Sequence, residues 1–509
     1  MAPRSRAKPS GTARRSAERA RPAAGRAEPG RAEPGRAARG RVGPARRVAF
    51  EVLRGVAERD AYANLLLPAL LRDHGLAGRD AALATELAYG ALRGQGSYDA
   101  ILAVCCDRDL GRVDPPLRQV LRLGAHQLLA TRIGAHAAVA TSVDLAKDVA
   151  GPRPAGFVNA VLRRVATRDL ESWLRIAAPS RADDLVGHLS VAYSHPRWIV
   201  GALSEALGEN PGAGLPETEA ALAADGERPR VTLCAVPGLA DVDELAAAGA
   251  VPARWSPFGG YLAEGDPAQI AAVAQGRVTA QDEASQLAAV ALARAGTEDW
   301  AAGSQAAQRD RGSAGALWLD VCAGPGGKAR LLAGLAEGSG AHLLAADARP
   351  HRAGLIRAAV AAGPAVAVVA ADGTKPAWRR GVFDRVLADV PCSGLGALRR
   401  RAEARWRRSP GDVAALGPLQ RALLASALDS AAPGGIVAYV TCSPHVAETR
   451  DVVMAVLAVR RDVRVLDAPA VLPEVPGLRC PDPYGAFAQF WPHRHGTDAI
   501  FLSLLRRQP

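Results

Sequence analysis

From about Gly276 onward the chain alternates short apolar runs with helical stretches. That alternation admits few folds, because buried strands joined by helices form a mostly parallel sheet covered on both faces. The expected strands are 316–321, 342–346, 366–370, 383–388 and 435–440, with helices near 329–337, 350–362 and 418–431. Ligands of such sheets gather where the strands end. Three of these ends carry chemistry: one runs into Cys322-Ala323-Gly324-Pro325-Gly326-Gly327-Lys328, and two run into thiols, at Asp389-Val390-Pro391-Cys392-Ser393 and Thr441-Cys442-Ser443.

The glycine turn matches neither G-x-G-x-x-G nor a phosphate-binding P-loop, since Lys328 is followed by Ala329. Asp347 closes the next strand, where an acid accepts hydrogen bonds from ribose hydroxyls. Asp372 follows the third strand and Asp389 the fourth. Acids at successive strand ends around a glycine turn suit a ribose and an adenine without a pyrophosphate, which points to S-adenosylmethionine.

Cys392 and Cys442 each follow an apolar strand at the binding rim, beside Pro, Ser or Thr, and are read as working thiols. Cys105, Cys106, Cys234 and Cys480 are read as small buried hydrophobes. An odd total of seven cysteines, with no C-x-x-C pair, indicates reduced thiols and no structural zinc. Cys442 and His445 have C-x-x-H spacing, but no second ligand pair accompanies them, so no metal is expected. No apolar run is long enough to cross a bilayer and no secretory segment is visible, so the expected location is the cytoplasm.

The net charge of +12 is concentrated at the N-terminus. Residues 1–40 hold ten Arg and one Lys against three Glu, or +8, in a Gly-Arg-Ala-Glu-Pro repeat with almost nothing to bury. Residues 1–41 are therefore expected to form a disordered basic tail that attracts phosphates, or a merely solvated one. Helical spacing at Ala45, Val48, Ala49, Val52, Leu53 and Val56, with further helices near 62–74, 80–93, 116–132 and 156–167, indicates an all-helical domain over 42–172. Pro68 is expected to bend or restart one of these helices. Arg118, Arg122, Arg163 and Arg164 on the helical faces are either RNA contacts or a solvated surface. Residues 173–275 mix helix and strand and read as a small α+β connector, and 276–509 as a Rossmann-like α/β catalytic domain. A second basic patch, Arg399, Arg400, Arg401, Arg405, Arg407 and Arg408 with Trp406, follows Cys392 and is read as phosphate contact and base stacking, or as a solvated basic helix.

The blocks Asp320–Lys328, Asp389-Val390-Pro391-Cys392-Ser393-Gly394 and Thr441-Cys442-Ser443 resemble those of RNA (cytosine-5) methyltransferases of the Sun (Fmu) type. The helical N-terminal domain, followed by Ser194-His195-Pro196-Arg197-Trp198 and Gln281-Asp282-Glu283-Ala284-Ser285, is similar to the bacterial 16S rRNA branch (RsmB), which carries a NusB-like RNA-binding domain. The resemblance spans nearly all of 42–507. It implies that Cys322, Ala323, Gly324, Pro325, Gly326, Gly327, Lys328, Asp347, Asp372 and Asp389 bind S-adenosylmethionine, that Cys442 is the nucleophile and that Cys392 serves product release. Lys328 is either a helix-start residue or, as the resemblance favours, a partner orienting Asp389; Asp389, at the rim beside Cys392, is read as the residue against the cytosine edge. The expected partner is 16S rRNA or a partly assembled small subunit, met by a monomer. Gly324, Leu395 and Thr449 depart from the usual Ala, Thr and Asn without removing a reacting group.

The chemistry agrees with the resemblance. Carbon 5 of cytosine becomes nucleophilic only once carbon 6 is bonded to a soft nucleophile, and a thiolate serves. A thiol of pKa about 8.5 is mostly protonated at neutral pH, so its surroundings must favour the thiolate. Two alternatives stay open: an RNA-binding protein with a non-catalytic methyltransferase scaffold, and a cytosine-5 methyltransferase for another RNA. An amino-group methyltransferase would carry Asn/Asp-Pro-Pro-Tyr/Phe where Asp389-Val390-Pro391-Cys392 stands, and a DNA cytosine methyltransferase lacks the second thiol.

Overall fold

Apolar side chains spaced three and four apart build the N-terminal part of the protein. In the computed structural model, which describes residues 42–263, 265–296 and 315–509, α1 (Pro44–Arg59) starts with Pro44 in its first turn and buries the six residues expected of it. The basic stretch 1–41 and the interior of the polar segment 296–315 lie outside the described residues. With α2 (Ala63–Asp73), α3 (Gly78–Arg93), α4 (Gln95–Cys105), α5 (Pro115–Ala130), α6 (Ala135–Ala150) and α7 (Ala155–Val165), α1 closes one apolar core. Two of these, α4 and α6, are not among the expected helices; neither has a side-chain cap to announce it. Pro68 does not interrupt α2, which forgoes only the bond that an N–H at 68 would make to the Asn64 carbonyl.

The middle of the chain forms a small antiparallel sheet of β1 (Val231–Ala235), β2 (Ala250–Pro252), β3 (Gly259–Leu262) and β4 (Val278–Ala280), in the order β2-β3-β1-β4. Its fourth strand comes from beyond residue 275. The helix Arg197–Leu207 packs with Leu395, Leu398 and Trp491 of the C-terminal part, so this layer continues into the larger domain.

That domain is a mixed sheet of β5 (Ala316–Asp320), β6 (Ala341–Asp347), β7 (Val366–Ala370), β8 (Phe383–Asp389), β9 (Ala431–Thr441), β10 (Val463–Leu466), β11 (Ala488–Gln489) and β12 (Phe501–Arg507). The order is β10-β12-β9-β8-β5-β6-β7, with β11 alongside β12, and β5 to β9 are parallel. The chain winds outward from β5 to β7 on one side and through β8 and β9 on the other, which places a topological switch between β5 and β8. In register, Asp389 lies opposite Val440, so the residues that follow the two strands leave the sheet side by side. The helix expected to begin at Pro418 starts at Pro410 instead and runs to Ser430. Ser409 and Asp412 form a capping box there, a stronger start signal than a proline that the helix simply passes through.

The arginines after Cys392 are neither a solvated helix nor, for the most part, free for RNA. Arg405 is fully buried and donates to the carbonyls of Arg93 (3.1 Å), Ser194 (3.3 Å) and Asp225 (2.6 Å). Arg407 reaches the carbonyls of Val56 (3.1 Å) and Ala61, Arg408 that of Ser393 (3.1 Å), and Arg399 that of Gly496 (2.9 Å). Arg93, Asp225 and Val56 lie in the last turns of their helices, where carbonyls lack intrahelical partners and the dipole is negative. Guanidinium groups from the thiol loop therefore cap helices of the other two parts of the molecule. On the helical faces, Arg122 is held by Asp99 (2.6 Å) and Arg164 by Asp107 (2.6 Å), so both are already paired.

Candidate active site

Parallel neighbours β8 and β9 end together, and the thiols that follow them meet: Cys392 Sγ lies 3.3 Å from Cys442 Sγ. The hydrogen bond with Cys392 is the main cause that holds the Cys442 thiol below its ordinary value; burial and Asp389 oppose it, while Lys328 and Arg401 assist. The same hydrogen bond, reinforced by burial, pushes the Cys392 thiol well above its usual range. Of the two, Cys442 is the one poised as thiolate.

Beneath the thiols sits a buried carboxylate. Glu448, fully buried, accepts from Ser393 N (2.7 Å), Ser393 Oγ, Ser443 Oγ (2.6 Å) and Gln420 Nε2 (3.1 Å). Ser393 and Ser443 each follow a thiol directly, so one side chain fastens both thiol turns. Tyr439 O–H donates to the Glu448 carbonyl (2.7 Å) and fixes the backbone from which that side chain springs.

At the end of β5, the turn after Cys322 opens the helix Gly327–Gly338. Lys328 is both in the first turn of this helix and paired with Asp389 (2.9 Å), and it also donates to Ser285 Oγ (3.2 Å). Burial works against its charge, yet Asp389 more than offsets this and Lys328 titrates above its ordinary value. Gly326 has φ +115°, and a Cβ there would stand 2.5 Å from the Ala359 methyl. A Cβ at Gly324 would run into Asp347 Oδ2, which a side chain of any size would displace. Asp347 is buried, accepts from Arg349 N (2.9 Å) and faces Arg352 (3.5 Å). Asp320 is buried too; its Oδ1 accepts from Cys322 N (3.3 Å) while its Oδ2 has no partner among the described residues, and burial, then the charge of Asp389, pushes it up to about 8. Burial, followed by Asp320, likewise drives Cys322 well above its usual value.

The expected residues thus fall into two adjoining groups, with Asp372 on the same rim, next to Ala371, whose N–H donates to the Asp347 carbonyl (3.0 Å). Cys392, Cys442, Asp389 and Lys328 converge, and the turn Cys322 to Lys328 lies against Asp347. Asp372 is exposed and spends Oδ1 on its own turn, accepting from Thr374 N (2.9 Å) and Oγ1 (2.8 Å). Sequence reasoning passes over Asp320, Ser285, Gln420 and Glu448. It also misses Asp498, which is buried, ion-paired with Arg400, and donates its own backbone N–H to Asp282 Oδ2 (3.1 Å). Burial, then Asp498, pushes Asp282 up to about 7. Ser285 and Asp282 sit within the quoted motif Gln281–Ser285, so that motif holds a readable signal; Glu448 and Asp498 become meaningful only once the chain is folded.

A doubly wound sheet with a glycine turn, strand-end acids and two thiols at one rim, behind a helical bundle, defines a methyltransferase fold joined to a NusB-like domain. Residues 311–506 match the family described as 16S rRNA methyltransferase RsmB/F, and residues 43–167 match the NusB family. The chain belongs to the RsmB/F methyltransferase family. A protein of Mycobacterium tuberculosis (strain H37Rv), provisionally named a methyltransferase, is 49% identical over 91% of this chain and 96% of its own length. The ribosomal RNA small subunit methyltransferase B of Pseudomonas syringae is 32% identical over 90% of this chain and 96% of its own. The crystal structure of PH0851 shares the fold with a TM-score of 0.71, at 21% identity, covering 91% of this chain and 98% of that one. Among the described residues no helix is long and apolar enough to cross a membrane.

Proposed function

We propose that the protein methylates carbon 5 of a cytosine in 16S rRNA, with S-adenosylmethionine as donor and a covalent Cys442–cytosine intermediate. The observation that carries this reading is the 3.3 Å approach of Cys392 and Cys442, with the thiolate favoured on Cys442. The 16S assignment draws on the family description and on the named activity of the Pseudomonas syringae relative. A monomer working in the cytoplasm on rRNA or a partly assembled subunit completes it.

The turn Cys322 to Lys328 and Asp347 suit the cofactor: Gly324 and Gly326 keep clear a space that side chains would fill, and Asp320 Oδ2 offers a buried acceptor without a partner among the described residues. The cofactor, when bound, supplies an electrophilic methyl group. In the proposed sequence the Cys442 thiolate bonds to carbon 6, and the electron pair moves to carbon 5 and the ring edge. Asp389, held by Lys328, lies against that edge. After carbon 5 has gained its methyl group, a base takes its proton, that electron pair restores the ring double bond, the carbon 6–sulfur bond breaks and Cys442 departs as thiolate, assisted by the Cys392 S–H beside it. A binding-only scaffold would have no use for paired thiols fastened by a buried carboxylate.

The test is methyl transfer from labelled S-adenosylmethionine to rRNA. Cys442→Ala is expected to lose both methylation and adduct, whereas Cys392→Ala is expected to accumulate a protein–RNA adduct that survives denaturing electrophoresis. Turnover by Cys442→Ala overturns the assignment.

A further inference from the structure

A cavity of about 280 Å³ opens between the helical domain and the loop that follows Cys392. It is lined by Tyr89 and Arg93 of α3, Arg228 of the connector, and Arg399, Arg400 and Arg401 of that loop. Two of these guanidiniums are anchored, Arg399 on the Gly496 carbonyl and Arg400 on Asp498. Arg399 is nevertheless more than nine-tenths buried with its Nε unpartnered. The side chains of Arg93 and Arg228 make no hydrogen bond or ion pair with the described residues, and Arg401 lies over the Tyr62 ring, 5.9 Å away. The carboxylate in the lining, Glu86, lies 3.6 Å from His126 Nε2, an ion pair only when the imidazole is protonated, and is also attracted by Arg93 and Arg228. Burial holds Arg93 below its ordinary value; the attraction of Glu86 opposes this and the smaller repulsion from Arg228 adds to it.

Like charges gathered in a partly enclosed space repel one another unless an anion joins them. A guanidinium fork fits a phosphate in a bidentate way, and an aromatic ring offers a stacking face to an unpaired base. The cavity is also tied to the thiols. Gly396 N–H donates to the Cys442 carbonyl (2.9 Å), and Arg401, further along the same loop, lends its charge to Cys442.

We propose that this cavity seats the RNA nucleotide beside the target cytosine, its phosphate held by Arg93 and Arg228 from one side and Arg401 from the other, its base against Tyr89. The helical domain then builds one wall of the substrate site and does more than bring RNA nearby. This inference rests on the rRNA methylation proposed above.

The test compares the full chain with Arg228→Ala and with Arg93→Ala/Arg228→Ala, measuring KM for 16S rRNA, its salt dependence and S-adenosylmethionine affinity. Arg228 is exposed, so its variant keeps the fold; Arg93→Lys, which keeps the charge but loses the fork, covers a double variant that does not fold. The expected result is a KM raised roughly 10-fold or more in the double variant, kcat within about twofold, unchanged cofactor affinity, and a salt slope shallower by about 0.7 to 0.9 for each phosphate that is no longer neutralised. Wild-type KM and salt slope in the double variant overturn the inference. So does calorimetry in which inorganic phosphate binds wild type and not the double variant while the rRNA KM stays the same, since the cavity would then be a small-anion site. If the wild-type protein itself neither methylates rRNA nor forms an adduct, the underlying functional reading fails instead.

Discussion

Replacing Glu448 by alanine removes the acceptor shared by both thiol turns, and the structure allows the cost to be worked through. Gln420 keeps its bond to the Pro391 carbonyl (2.9 Å), and the hydroxyls of Ser393 and Ser443, 3.1 Å apart, can turn to each other. The Ser393 N–H is left buried without a partner, at roughly 1–3 kcal/mol, and two hydroxyl bonds to a carboxylate are lost at roughly 1.5–3 kcal/mol each. Allowing for the hydroxyl rearrangement, the loss is about 4 kcal/mol. Glutamine at 448 behaves differently: its oxygen can still accept from Ser393 N and Gln420, while its NH2 donates to hydroxyls that also accept. Glu448→Gln is therefore expected to stay within about 1 kcal/mol of wild type. Activity adds a second measure, because releasing the turns lets the thiols drift, and misplacement by about 1 Å costs on the order of 100-fold. Denaturant unfolding and the rate of adduct formation with rRNA check both. If Glu448→Gln is damaged as badly as Glu448→Ala, negative charge and not hydrogen bonding is what matters there; an Ala variant with wild-type stability refutes the reasoning altogether.

Cys392→Ala is expected to raise the pKa of Cys442, because the hydrogen bond that lowers it is lost; iodoacetamide labelling of Cys442, followed by mass spectrometry against pH, should slow at neutral pH, and an unchanged profile would contradict this. Asp320 titrates higher folded than unfolded, so between about pH 4 and about 8 the unfolded chain has released a proton that the folded one keeps, and stability falls as pH rises. Asp320→Asn should accordingly stabilise the ligand-free protein by an amount that grows across that window, at most about 1.4 kcal/mol per pH unit, and that vanishes below it; a gain independent of pH would count against a buried, titrating acid. Arg405→Leu leaves three helix-end or turn carbonyls without a donor and should cost several kcal/mol, at roughly 1–3 kcal/mol for each group left unsatisfied. Limited proteolysis of that variant should cut first between the helical and catalytic parts, and wild-type resistance would disprove the seam.

The sheet is legible because its strands are apolar runs bounded by turns, and the two thiols can be placed at one rim because each follows such a run. What brings them within hydrogen-bonding reach is the parallel pairing of β8 with β9, which periodicity alone does not specify. The arginines at 399–408 mislead for a related reason: local composition marks them as surface, whereas Arg399, Arg405 and Arg407 reach carbonyls far away in the chain and Arg400 a distant acid. Glu448 carries no chemical role in the sequence reading, since its burial arrives only when Ser393, Ser443 and Gln420 close around it. Pro418 looks like a helix start because proline favours first turns, although Ser409 and Asp412 are there to be read.

The acceptors of Arg405 are backbone carbonyls, a group every residue carries. The side chains at 93, 194 and 225 can therefore be exchanged without touching these three bonds, while the arginine itself has no substitute that spans three acceptors with one planar fork. Arg405 thus reaches all three parts from a single position. Homologues should show little correlated change across the joint between these parts, however strongly its two sides depend on one another.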